Sequence, residues 1–213
     1  MSEKTTNPLD LQPRWRHLWH RLGATGDPNP ICNDLMTRYS EPGRAYHTLT
    51  HLAHCLEELN AVADPAVNRD AIEFALWFHD AIYDSTFKDS EARSAALAEQ
   101  VAESAGLSRP FRDLVTELIM ATCHATPPAT LDESIMVDID LAILGQSPAR
   151  FDQYERRVRQ EYAWVPAQAF AKGRAELLAA ILARPRIYTS ELFHQKYEGS
   201  ARDNLTRSIA QLK

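Results

Sequence analysis

The stretch Ala71-Ile-Glu-Phe-Ala-Leu-Trp-Phe-His79-Asp80-Ala-Ile-Tyr83 decides the reading of this chain. Ala71, Ile72, Phe74, Ala75, Leu76, Trp77, Phe78, Ala81 and Ile82 leave a helix here almost no polar face. A helix apolar all round belongs in a core. His79 and Asp80 near its C-terminal end therefore lie indoors or at the floor of a cleft. Polar groups in such a place are hydrogen-bonded, paired or bound to a metal. Adjacent helical side chains point about 100° apart, so the two do not readily satisfy each other. They can converge on a third object, of which a metal ion is the obvious example.

Outward from this segment, Pro and Gly punctuate the chain and helical periodicity fills the intervals. Helices are expected over about residues 9–22, 32–40, 47–63, 67–83, 89–105 and 109–124, up to the Pro127-Pro128 pair. Beyond it they are expected near 132–144, 148–163, 166–184 and 190–211, with 187–189 a candidate extended piece. No repeat or long linker divides the 213 residues, so one all-α domain, a helical bundle, is the expectation. A net charge of -6 speaks against nonspecific binding of duplex nucleic acid. Three cysteines without CxxC spacing suggest neither a disulfide framework nor a zinc knuckle. The first residues, Met-Ser-Glu-Lys-Thr-Thr-Asn-Pro, lack the apolar core of a secretory signal, and no apolar run has the length of a membrane span. A cytoplasmic protein without a membrane partner is the expectation.

Two further segments bear on His79-Asp80. His47, His51 and His54 share one stripe of the expected helix 47–63, with Leu49, Leu52, Leu56 and Leu59 nearly opposite. On spacing alone this suits a surface helix with its leucines inward and its histidines in water, and Glu58 on the histidine stripe favours that reading. In Asp138-Ile-Asp140-Leu, the two carboxylates diverge by about 200° on a helix, so only one faces a shared site. Asp140 leads directly into an apolar run and is the better candidate, while Asp138 suits a cap.

His, then His-Asp, then a distant Asp resembles the HD superfamily of metal-dependent phosphohydrolases. Tyr46-His47-Thr-Leu-Thr-His51 is similar to the Tyr-His-x-x-x-His motif of the cyclic-nucleotide phosphodiesterase branch. Trp77-Phe78-His79-Asp80 matches the dyad, and Asp140-Leu141 resembles the Asp-Leu that closes the site. With Glu198-x-x-Ala-Arg202-x-Asn204-Leu, the pattern looks closest to bacterial predicted HD phosphohydrolases of unassigned substrate. The phosphodiesterase segment after the dyad is absent, so cyclic-nucleotide specificity is not carried over. The resemblance covers about residues 46–145. It implies an HD-like core near 44–145 and a helical extension over 146–213.

It implies His51, His79, Asp80 and Asp140 as ligands to a divalent ion, Mn²⁺, Fe²⁺, Mg²⁺ or Zn²⁺. A water acidified by that ion would hydrolyse a small phosphorylated substrate, a phosphoester or a nucleotide. His47 is a candidate proton donor to the leaving oxygen, with structural support of the ligands as its alternative. Asp84 is a candidate for a second metal, for orienting water or for a helix-end cap. His124 is a candidate for a second metal or for a favourable charge at a helix C-terminus. Arg44, Lys88 and Arg202 are the candidate phosphate binders, against the ordinary role of solvated surface residues. Two rivals stay open: a metal- or nucleotide-binding sensor without turnover, and an HD-type di-iron oxygenase. The N-terminal helix with Trp15 and Trp19, and the aromatic tail of Tyr154, Tyr162, Trp164 and Tyr188, suit packing.

Overall fold

A computed structural model describes residues 11–212; the expected start of the first helix at residues 9 and 10 and the opening segment lie outside the described residues. Ten α-helices and no strand occur among the described residues, each helix within a few residues of an expected one. Residues 187–189 form no strand. By the density of internal contacts the chain divides into two compact units, Met1–Pro127 and Pro128–Lys213. The division falls at the proline pair that closes the sixth expected helix.

The first unit holds α1 (Leu11–Arg21), α2 (Asn29–Arg38), α3 (Leu49–Asn60), α4 (Arg69–Phe78), α5 (Ser90–Ser104) and α6 (Arg109–Ala121). Helix α4 is its centre and touches α1, α3, α5 and α6. The cause is the sequence with which the reading began, since Ala71 through Phe78 are all buried. Trp15 of α1 inserts beside Phe74, Trp77 and Phe78, its ring 5.2 to 6.0 Å from theirs. Each such buried ring contributes about 2 to 3 kcal/mol of transfer free energy. The one acid in this apolar helix, Glu73, is held by Arg14 and Arg21 at 2.7 Å each. That pairing removes the cost of an isolated buried charge. Helix α1 is thus a packing element, as its tryptophans suggested.

The second unit holds α7 (Leu131–Asp140), a 3-10 turn (Leu141–Gly145), α8 (Pro148–Glu161), α9 (Ala167–Leu182) and α10 (Glu191–Leu212). Thr130 caps α7 by accepting from the Glu133 amide, and the Glu133 carboxylate accepts from the Ala129 amide at 2.6 Å. The start of α7 is thereby fixed by a reciprocal Thr-x-x-Glu device. Helix α10 packs on the 3-10 turn and on α9. Gly145 is required there, because a β-carbon would collide with the Tyr197 side chain.

The C-terminal motif has an architectural job. The Glu198 carboxylate accepts from the Ile187 and Tyr188 amides, and Arg202 donates to the carbonyls of Leu182, Arg184 and Pro185. Asn204 donates to the carbonyls of Leu144 and Gln146. These three side chains replace the hydrogen bonds that irregular backbone lacks inside a packed unit. Of the aromatic tail, Tyr188 is buried and donates to the Leu141 carbonyl, whereas Trp164 is exposed and stacks on Tyr162.

Candidate metal centre

Helix α3 begins at Leu49, because Thr48 is extended and its hydroxyl accepts from the Thr50 amide. The expected stripe is therefore corrected. His51 and His54 lie on the helix, and His47 precedes it in the entering loop. The surface reading of the helix is corrected as well. His51, Leu52, Ala53, His54, Cys55, Leu56, Glu58 and Leu59 are all buried, so α3 has an indoor face on both sides. His54 and Glu58 meet each other at 3.4 Å within that burial.

Helix α4 ends at Phe78, short of the expected 83, with His79 as its C-cap. Two devices stop it. The Ala81 amide turns back to the Phe78 carbonyl at 2.8 Å. The Asp80 and Ile82 amides go to the hydroxyls of Tyr39 (3.4 Å) and Ser94 (3.0 Å) instead of the carbonyls four residues back. Arg44 takes the carbonyls of Asp80 (2.7 Å) and Ala81 (3.1 Å). Arg44 also donates to the His47 carbonyl at 3.1 Å, so one guanidinium joins the His47 loop to the His79-Asp80 turn. Its side chain is only 2% exposed.

At this turn three electron-pair donors meet. His51 Nε2 and His79 Nε2 are 3.1 Å apart, and Asp80 Oδ2 lies 3.3 Å from the first and 3.1 Å from the second. His51 and His79 are 3% and 1% exposed. The tips of His79 and Asp80 meet beside His51, the convergence on a third object that their sequence allowed. His79 Nδ1 is 2.9 Å from the Leu76 carbonyl. A carbonyl only accepts, so Nδ1 carries the proton and Nε2 of the neutral ring keeps its lone pair. The His79 lone pair and an anionic Asp80 oxygen held at this separation repel one another unless a proton or a cation lies among the three groups.

A divalent ion fits the triangle. With metal–ligand bonds of about 2.1 to 2.2 Å, neighbouring positions of an octahedron are about 3.0 to 3.1 Å apart. Two imidazoles and one carboxylate on one face form a donor set used by divalent transition metals. The His79–Leu76 bond is the usual support that orients a ligating imidazole. Cys55 adds sulfur: Sγ is 3.7 Å from both ring nitrogens of His51, and ligand atoms of His51, Cys55 and His79 lie within 4.8 Å of one another. These side chains could hold a metal ion.

The electrostatics agree with this geometry. Burial would raise the Asp80 carboxyl, but the neighbouring imidazoles of His79, His47 and His51 hold it well below the ordinary range. Tyr39, fully buried on the other side of Asp80, accepts from the Asp80 amide at 3.4 Å. Burial pushes its phenol up to about 12, against the lowering influence of His79. Tyr39 also lines an open cleft with Ser40, Glu41, Arg44, Thr48 and Thr50.

The remaining candidates are placed as follows. His47 is half-buried, stacked on Tyr83 at 4.0 Å and edge-on to Tyr46 at 4.9 Å. Asp84 lies in an exposed turn beyond the end of α4, where its Oδ1 accepts from the Thr86 amide and hydroxyl, which lowers its pKa. It is thus not one helical turn beyond Asp80, and its observed role is to close that turn. Lys88 is exposed in the same loop. Arg44 directs its Nη donors, and Arg202 its Nε and Nη donors, to backbone carbonyls and a glutamate each. His124 follows α6 with a positive φ of 54°, and is not among the side chains gathered with His51.

In the second unit Asp140 ends α7, half-buried. Asp138 is 0% exposed and accepts from the Thr189 amide (3.0 Å), the Ser190 amide (2.7 Å) and the Ser190 hydroxyl (2.6 Å). It therefore holds the entry to α10 and does not cap α7, a role that its position in sequence did not reveal. Burial raises its pKa against those bonds.

Sequence reasoning passed over Cys55 and Tyr39. Cys55 follows His51 by four residues, the same-face spacing of a His-x-x-x-His pair, so that signal was present. Tyr39 had none, since it reaches Asp80 only through packing. Comparison with protein-family models, with curated proteins and with solved structures gave no match to this chain.

Proposed function

We propose that the protein is a metal-dependent phosphohydrolase acting on a small phosphoester, a nucleotide among the candidate classes. The observation that carries this reading is the triangle of His51 Nε2, His79 Nε2 and Asp80 Oδ2, with sides of 3.1 to 3.3 Å. Asp140 is the second carboxylate of the reading, assigned from its order in the sequence and its resemblance to the closing Asp-Leu. A bound divalent ion would supply an acidified water and polarise a phosphoryl oxygen.

The chain's own residues would do the rest. His51, His79 and Asp80 hold the ion's face, with the His79 ring fixed by the Leu76 carbonyl. His47, held against Tyr83, donates a proton to the departing oxygen of the ester. Arg44 positions both loops and does not touch substrate.

The test is metal analysis of the purified protein with a phosphatase and nucleotide panel under Mn²⁺, Mg²⁺ and Fe²⁺. Turnover of a phosphoester that is lost in His79→Ala and Asp80→Ala is the expected result. Retained metal without turnover of any phosphoester would overturn it in favour of a sensor. A second reading has one observation behind it, because two imidazoles and a carboxylate on one face also serve non-haem iron oxygenases. Two irons per chain with oxygen-dependent turnover would support that reading.

A further inference from the structure

Helix α3 brings a sulfur to the metal-ligand triangle. Cys55 follows His51 by four residues, and helical side chains lean toward the N-terminus, so its thiol covers the turn that carries His51. The residue is 0% exposed, and its Sγ stands 3.7 Å from Nε2 and from Nδ1 of that ring. Two donors bound to one ion, with about 2.3 Å to sulfur and about 2.1 Å to nitrogen, are about 3.6 Å apart at a tetrahedral angle. The observed 3.7 Å to Nε2 is of that size. Only the Cα–Cβ torsion sets where the sulfur points, so it can turn from the face of the His51 ring onto an ion with the helix unmoved. Among the described residues, Cys55 alone of the three cysteines is gathered with other ligating side chains.

The donor set narrows the metal. Of the four donor atoms that the first unit gathers, two are imidazole nitrogens, one is a sulfur and one is a carboxylate oxygen. Magnesium is bound through oxygen and keeps much of its water, and manganese too is suited by carboxylate, carbonyl and water. Imidazole suits zinc and iron, and thiolate selects softer ions. A single oxygen among four donors therefore speaks against the hard ions.

We propose that Cys55 supplies a thiolate ligand to the ion held by His51, His79 and Asp80, and so selects a thiophilic divalent metal, zinc or ferrous iron, over magnesium and manganese. The thiol proton passes to solvent as the metal–sulfur bond forms. The inference rests on the metal-dependent reading of the site and names the class of ion that it takes.

Cobalt(II) is the probe, because a cobalt–thiolate bond gives a charge-transfer band in the near ultraviolet that nitrogen and oxygen ligands do not. Metal-free wild-type protein and Cys55→Ala are titrated with Co²⁺, and their Mn²⁺ affinities are measured in parallel by calorimetry. The wild type should show the band, saturating with the bound ion. Cys55→Ala should lack it and bind cobalt about tenfold or more weakly, while manganese affinity stays within about threefold. Cobalt bound to the wild type without the band overturns the inference, whatever the variant does, and leaves the phosphohydrolase reading standing. A band that survives in Cys55→Ala also overturns it, since another cysteine then supplies the sulfur. Equal losses of cobalt and manganese affinity do the same, because Cys55 would then only support the His51 ring. Wild-type protein that binds neither ion removes the metal-dependent reading, and this inference with it.

Discussion

Asp80 in the first unit and Asp138 in the second are both withdrawn from water, and their surroundings differ in kind. Asp138 is met by three donors of its own chain, at Thr189 and Ser190, so its charge is spent inside the fold. Asp80 Oδ2 is met by two imidazole nitrogens, one of which must keep a lone pair because its partner nitrogen already donates to Leu76. The first arrangement is complete as it stands. The second could be completed by a metal ion. The lesson is that burial of a carboxylate says little, whereas the count of donors around it separates architecture from a binding site.

The comparison breaks most readily at the metal. His79→Ala and Asp80→Ala should each lower divalent-ion affinity by about 1000-fold or more, whereas Asp138→Asn should still bind the ion. Equilibrium titration of the metal-free proteins checks this, and unaltered affinity in the first two variants would end the metal reading. The next largest effect belongs to the second unit. Asp138→Ala leaves two amides and a hydroxyl without their acceptor and should cost about 3 kcal/mol, read from the shift of a urea midpoint.

Arg44 sharpens the contrast from the side of the cation. Arg44→Ala frees three buried carbonyls at the His79-Asp80 turn and should cost about 2 kcal/mol. It should also weaken metal binding by about tenfold, since the turn that aims the ligands loses its clamp. Arg202→Ala, at a comparable set of carbonyls in the second unit, should show the loss of stability in the same urea experiment.

The smallest effect is in the acid limb of stability for metal-free protein, and the two aspartates have opposite signs there. Asp80 has its folded pKa depressed, so its contribution is present above the ordinary carboxylate value and lost as pH falls through the folded value. Asp138 has its folded pKa raised, so its contribution is present below the ordinary value and lost as pH rises through the window just above it. Stability measured against pH should therefore lose a rising segment in Asp80→Asn and a falling one in Asp138→Asn. The same slope in both variants would contradict the distinction.

Much of the helical architecture was legible because its signals are local. Prolines, glycines, Thr48, Asn68, Ser108 and Thr130 mark helix ends, and caps act within three or four residues. Boundaries failed where a distant group intervened. Helix α4 stops five residues early because the Asp80 and Ile82 amides turn to the hydroxyls of Tyr39 and Ser94, 41 and 12 positions away in sequence. The burial of α3 on its histidine side was missed for a similar reason. Spacing gives the angle between side chains and not which of two faces meets a neighbour.

By itself, the sequence determined that this is an all-helical chain and that His79-Asp80 sits at the end of its most apolar helix. It also supplied His51 as a partner, through the order of its motifs. Only the tertiary structure decided that the three ligand atoms close to within 3.3 Å. It alone turned Arg44, Arg202, Glu198 and Asp138 into backbone clamps, and it alone brought Cys55 and Tyr39 to the site. Hydrophobic periodicity acts along a single helix, so sequence carries it. Convergence of charged and hydrogen-bonding groups depends on distances between helices, which are fixed only when their cores pack.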